Sequence, residues 1–207
     1  MHLVKNVRVF VVGMAVLAIL ALGPWNAAAQ SGRPAPVPLS LHEAYQTGLK
    51  TASRWDSSAK LYELNSTDSG EDPALPEDKR GLGGRRVSWN LDFVVPGTDR
   101  HLYLEVRGGQ VVNQTALRGP LGDSSFEADE VMGIRADEAV ARSKELQPGR
   151  KWATGYQYRL FKDAADAILV IRGRDSQGND AIVYINAETN QFLGRLHKVD
   201  SREWQIY

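Results

Sequence analysis

From Val87 to Val95 the chain alternates, with Val87, Trp89, Leu91, Phe93 and Val95 on one side and Ser88, Asn90 and Asp92 on the other. A period of two predicts a strand with one buried and one wet face, as in an antiparallel sheet. Pro96-Gly97 begins a turn, and Leu102, Leu104 and Val106 continue as a second strand. Gly108-Gly109 predicts a hairpin into Val111 and Val112, because a two-residue hairpin loop needs positive-φ residues. Upstream the period changes. Leu41, Ala44, Tyr45, Gly48, Leu49 and Ala52 recur at three- and four-residue intervals, which predicts an amphipathic helix of about three turns. Ser40 and Glu43 stand at capping-box spacing at its start. Ala59–Leu64 reads as a short strand. The stretch 65–84, rich in glycine, proline and charge, reads as a flexible loop between strands.

The second half repeats this order. Residues 113–133 read as a connector, and a helix is expected from about Arg135 to Leu146, closed by Pro148-Gly149. Trp152, Thr154, Tyr156, Tyr158 and Leu160 alternate with smaller or polar residues, and Ala167–Ile171 and Ala181–Ile185 are continuous apolar runs. Asp175-Ser176-Gln177-Gly178-Asn179 reads as the turn between those runs, and Thr189-Asn190 turns into a last strand at Gln191-Phe192-Leu193. The fold class expected is α+β: two repeats of a short helix packed on an antiparallel β-meander, at 39–112 and 134–195, followed by a tail at 196–207.

A different pattern precedes both units. Lys5 and Arg8 begin a segment that continues as an apolar run from Val9 to Leu22, stops at Gly23-Pro24 and ends in Ala27-Ala28-Ala29. That order predicts a secretory signal over residues 1–29, cleaved between Ala29 and Gln30. The run is shorter than the roughly 20 residues of a spanning helix; the alternative is an uncleaved anchor, the one case in which a membrane contact is expected. Residues 30–38, with Pro34, Pro36 and Pro38, form an extended spacer. The chain's 25 basic and 25 acidic residues lose Lys5 and Arg8 to the signal segment, leaving a formal net charge of −2. No basic footprint for nucleic acid remains. Cysteine is absent, which excludes disulfides, thiol chemistry, thiolate metal sites and the lipidated cysteine of a bacterial lipoprotein.

The helix starts of the two halves can be overlaid, Leu39-Ser40-Leu41-His42-Glu43-Ala44 on Ile134-Arg135-Ala136-Asp137-Glu138-Ala139. Leu104-Glu105-Val106-Arg107-Gly108-Gly109-Gln110-Val111 likewise lies over Ile185-Asn186-Ala187-Glu188-Thr189-Asn190-Gln191-Phe192. In this arrangement the chain resembles the PepSY family. Trp89-Asn90-Leu91-Asp92-Phe93 matches the tryptophan strand of the first unit. Tyr184-Ile185-Asn186-Ala187-Glu188-Thr189-Asn190 matches the closing Asp-x-x-Thr-Gly-type turn of the second, with Asn186 for the aspartate and Asn190 for the glycine. The first unit's turn is one residue shorter, and Ala167-Ile168-Leu169 stands where a second tryptophan would align. The resemblance implies an extracytoplasmic, non-enzymatic module that binds or regulates a protein such as a peptidase. It implies no catalytic residue and no cofactor.

The remaining candidates for chemistry are thin. His42-Glu43 has Gln46 where a zinc helix needs its second histidine, so His42 reads as a surface residue. Ser57 and Lys60 have serine–lysine spacing without the accompanying motifs. Asp175, Gln177 and Asn179 look like a calcium loop, but Asp180 replaces the required glycine and no closing glutamate follows. Asn65-Ser66-Thr67 and Asn113-Gln114-Thr115 are sequons, relevant only in a eukaryotic host. Lys79-Arg80 and Arg85-Arg86 read as solvated charge beside the loop. Trp89 and Trp152 are expected in the core, and Trp204 and Tyr207 are expected to dock on the chain itself. The rival to a binding module is a secreted hydrolase, with His101 or His197 gathered to Asp92 or Glu105; a structural envelope protein is the third reading.

Overall fold

The computed structural model describes residues 37–67, 80–122, 124–145, 152–175, 177–198 and 204–206. The expected signal segment, its expected cleavage point at Ala29 and Gln30, most of the proline-rich stretch 30–38 and the middle of the stretch 65–84 lie outside the described residues.

Helix α1 (Leu41–Trp55) is capped as its sequence predicts: Glu43 N–H donates to Ser40 Oγ at 3.2 Å, and Ser40 N–H donates to Glu43 Oε2 at 2.7 Å. It buries Leu41, Ala44, Tyr45, Gly48 and Ala52, and is a turn longer than expected. Gly48 allows its close approach to the sheet. A Cβ there would stand 2.8 Å from Leu91 Cδ2 and 3.3 Å from Phe93 Cε2.

A short strand β1 (Leu39–Ser40) pairs with β3 (Arg85–Arg86). The large sheet contains β2 (Lys60–Thr67), β4 (Ser88–Val94), β5 (Arg100–Arg107), β6 (Gln110–Arg118), β7 (Trp152–Asp163), β8 (Asp166–Asp175), β9 (Asp180–Asn186), β10 (Phe192–Lys198) and β11 (Trp204–Ile206). Its order is β11-β10-β9-β8-β7-β2-β4-β5-β6, and every pairing is antiparallel. The broad expectation of an α+β fold with an antiparallel sheet therefore holds.

One row of side chains shows how the alternation builds the core. Leu104, Leu91, Leu64, Leu160, Leu169 and Ile185 are register partners across six adjacent strands, and each is fully buried. The core also includes Tyr45 from α1, Val131 from α2 (Ala128–Gly133), and Ala139 and Val140 from α3 (Ala136–Glu145). The α-helices of the described residues thus cover this face.

Several boundaries differ from the sequence reading. Asn65, Ser66 and Thr67 are strand, not loop, because Asn65–Thr67 pair with Asn90–Ser88 and Ser66 Oγ accepts the Tyr158 N–H at 2.8 Å. The supposed connector supplies both the rest of β6 and α2; its Phe126 is buried, and Phe126 N–H donates to Leu61 C=O at 2.7 Å. The beginning of the supposed tail is strand β10, and Trp204–Ile206 adds β11 beside it. Arg86 is not solvated charge: it is 1% exposed, donating from Nη1 to Tyr156 C=O at 2.8 Å and from Nη2 to Thr67 C=O at 3.2 Å. Ser88, placed by alternation on the wet face, is fully buried. The Gly108-Gly109 turn is as predicted, with φ of 54° and 85°.

Candidate functional site

Among the described residues, the same alternation that buries one face leaves the other free of helices. On it the sheet brings Thr115, Tyr103, Asp92, Glu63, Phe161 and Ile168 into one row across β6, β5, β4, β2, β7 and β8. The neighbouring row includes Glu105, Asn65, Arg159, Val170 and Tyr184. Apart from the exposed Thr115 and Arg159, these residues are half-buried. The result is a surface of aromatic, aliphatic and charged groups.

Its charges are unequally compensated. Arg159 donates from Nε and Nη2 to the two oxygens of Glu63 at 2.8 and 2.7 Å, a bidentate pair. Arg107 reaches Glu105 at 2.5 Å. Among the described residues no ion pair reaches Asp92, which lies between Glu63 and Tyr103 in register. Burial, with the nearby Glu63 charge, pushes the Asp92 carboxyl up to about 6. Burial also raises the Tyr103 phenol, with the charges of Glu105 and Asp92 adding to it.

This shift has a sign. The folded chain holds a proton on Asp92 between the ordinary value of 3.8 and about 6, where the unfolded chain has released it. Stability from this group is present at low pH, falls as the pH rises through that window and stays lost above it. Asp92→Asn is therefore expected to stabilise the protein at pH 7.5, on the order of 2 kcal/mol, with the gain shrinking toward pH 4. Urea unfolding of both proteins at the two pH values measures it. Equal gains at both would place the effect outside ionisation.

The other sequence candidates separate. His101 shares the open face with Asp92, one position along from Tyr103, and its Nδ1 is buried without a hydrogen-bond partner. His197 does not join Asp92 or Glu105. It sits on β10, five strands from β4, or about 24 Å at normal strand spacing, and is paired in register with Ala181 of the core face. Its Nε2 lies 2.8 Å from Asp175 Oδ2, and both residues are buried. Asp175 Oδ1 also accepts the N–H groups of Gln177 and Asn179 at 2.8 and 2.9 Å. Burial acts to raise the Asp175 carboxyl, but these N–H donors and His197 outweigh it and hold it below its usual value. Asp175 thus closes the β8–β9 turn and ties it to β10, the turn reading rather than the calcium one.

His42 Nε2 stands 3.1 Å from the Val131 carbonyl, joining α1 to α2. Lys60 is paired with Glu127, so it is not held by Ser57. Asn186 Oδ1 accepts from Glu188 N–H, Thr189 N–H and Thr189 Oγ–H at 2.9–3.1 Å, and Asn190 has φ of 56°. The predicted turn chemistry at 186–190 is therefore in place. The side-chain packing of Trp152, Trp204 and Tyr207 lies outside the described residues. Among the described residues, no three His, Cys, Asp or Glu side chains converge as metal ligands, and no helix is long and apolar enough to cross a membrane.

No family model matches the chain, and no curated protein does. A solved structure with a similar fold is that of a "putative lipoprotein" of Clostridium difficile 630. It shares 13% sequence identity at a TM-score of 0.50, over 80% of this chain and 96% of that one. At this identity the likeness concerns the fold.

Proposed function

We propose that the chain is an exported, non-catalytic binding module of the cell envelope, built from two PepSY-like units, whose open sheet face receives a protein such as a peptidase. The observation that carries the reading is the asymmetry of the sheet. Among the described residues, helices close one face, while the other presents Tyr103, Phe161 and Tyr184 among Asp92, Glu63 and Arg159. Aromatic residues and arginine are the groups enriched where proteins bind proteins. The strand order supports two units. β2 and β7 each follow a helix and lie side by side, and β4, β5 and β6 run outward from one as β8, β9 and β10 do from the other. Envelope placement rests on the signal pattern at 1–29, and the name of the Clostridium protein is in keeping with it. This chain has no cysteine to carry a lipid.

Two measurements test the reading. N-terminal sequencing of the exported protein is expected to begin at Gln30. A purified thermolysin-like metallopeptidase titrated with the protein should be bound, at least tenfold more weakly by the Tyr103→Ser/Tyr184→Ser pair, as for paired interface aromatics of about 1 kcal/mol each or more. Lys50→Ala, on the exposed surface of α1, should bind as well as the parent. Peptidase activity unchanged by excess protein would remove the peptidase from the reading. Hydrolysis of peptide or ester substrates, abolished by Asp92→Asn, would replace a binding module with an enzyme.

A further inference from the structure

Among the described residues β6 ends one side of the sheet, and it is exposed along Val112–Arg118. It contains no proline or lysine to guard that edge, and Arg118 is its one charged residue. Val112 and Leu117 are among the most exposed large apolar side chains of the described residues, at 50% and 42%.

The orientation of its backbone follows from two hydrogen bonds. Val95 N–H donates to Arg100 C=O, so Arg100 faces β4; Gly119 N–H donates to Asp99 C=O, so Asp99 faces β6. Alternation along β5 turns His101 and Tyr103 toward β6, where they meet Leu117 and Thr115. The N–H and C=O groups of Gln114, Ala116 and Arg118 therefore point away from the sheet. The register irregularity of this hairpin lies between Val111 and Asn113 and leaves this segment regular.

We propose that this edge pairs with a second copy of itself. An antiparallel two-fold through Ala116 sets Gln114 against Arg118 of the other copy and Ala116 against Ala116, so all three outward positions are matched at once. Thr115 then lies beside Leu117 of the other copy. The one charged side chain meets a neutral amide rather than its own copy, and the smallest residue of the strand sits on the axis. Self-complementarity of this kind is what an isologous interface requires. The two sheets become one, with both open faces side by side. Contact along one strand is small, so the dimer is concentration-dependent, as transient interfaces are.

Sedimentation of the exported chain over a rising concentration series should show monomer passing to dimer. Ala116→Glu and Ala116→Lys each place like charges on the axis. Each alone should weaken association at least about tenfold, since like-charge juxtaposition costs several kcal/mol, while far-UV circular dichroism and Tm stay unchanged. An equimolar mixture of the two should restore the dimer. Ala116→Cys introduces the sole thiol of a chain without cysteine, and on oxidation should give a disulfide dimer, because Cα atoms in such a pair stand about 5.5 Å apart. A chain that remains monomeric throughout overturns the proposal and leaves the edge to a different polypeptide. A dimer that neither charge weakens overturns it too, because that dimer uses another surface.

Discussion

Replacing Trp89 with alanine is expected to lower stability by about 3–5 kcal/mol, the range for truncating a buried large aromatic. Trp89 is fully buried on the helix-covered face. Its ring stacks on Tyr158 of β7 with centroids 6.2 Å apart and planes at 26°, so it bridges from β4 over β2. Its indole N–H is shared by the carbonyls of Leu39 and Arg86 at 3.2 and 3.1 Å. Alanine removes the ring and leaves both carbonyls without that donor. Trp89→Phe keeps most of the packing and loses only the donor, so it should cost about 1–2 kcal/mol. In a chain of this length the alanine variant should melt on the order of 10 °C lower. Urea unfolding with an unchanged m-value checks that the native state, rather than the denatured ensemble, has changed. A loss below about 1 kcal/mol would show that the core does not close on this ring.

Trp89 was legible in the sequence because period-two alternation is a local signal. The same is true of the Ser40–Glu43 cap, the Gly108-Gly109 hairpin and the Asn186 turn, each written within a few residues. β6 beyond Val112 was not legible, for a physical reason. It is exposed on both faces, so burial imposes no alternation, and Asn113–Arg118 has the composition of a connector. Asn65–Thr67 is not legible either: Ser66 is buried where Tyr158, 92 residues away, brings an N–H to its hydroxyl.

The candidate site divides the same way. Alternation places Asp92 on the wet face, and the structure keeps it there. Its half-burial and raised pKa come from Glu63 on β2 and neighbouring strands that only pairing brings together. The Asp175–His197 contact joins a turn to a strand 22 residues on, with no local pattern to announce it. The sequence leaves His197 among the distant residues that a fold could gather to Asp92, and strand order separates them.

Arg86 shows the strongest departure, and its removal should have an effect comparable to that of Trp89. β2 and β7 meet along a short seam in which Glu63, Leu64 and Asn65 pair with Phe161, Leu160 and Arg159. The ladder is therefore supplemented by side chains. Ser66 accepts from Tyr158, Glu63 takes Arg159, and Arg86 donates to the carbonyls of Thr67 on β2 and Tyr156 on β7. A guanidinium suits this position because its planar fork carries several donors at fixed angles. Arg86→Met fills the space but leaves two carbonyls without these donors, each costing about 1–3 kcal/mol when buried; the expected loss is about 2–5 kcal/mol. Arg86→Lys keeps the charge and reaches fewer acceptors, so it should recover less than half of that. Hydrogen exchange gives the local readout: the Tyr158 amide should lose protection in Arg86→Met by more than the amides of β9 do. Trp89 Nε1 donates to the backbone carbonyl of Arg86, which Arg86→Met retains; the two residues are nevertheless in contact, and contact residues couple, so the Trp89→Ala/Arg86→Met pair should lose less than the sum of its parts. Full stability in Arg86→Lys, or strict additivity of the pair, would mean that the seam is held by its ladder alone.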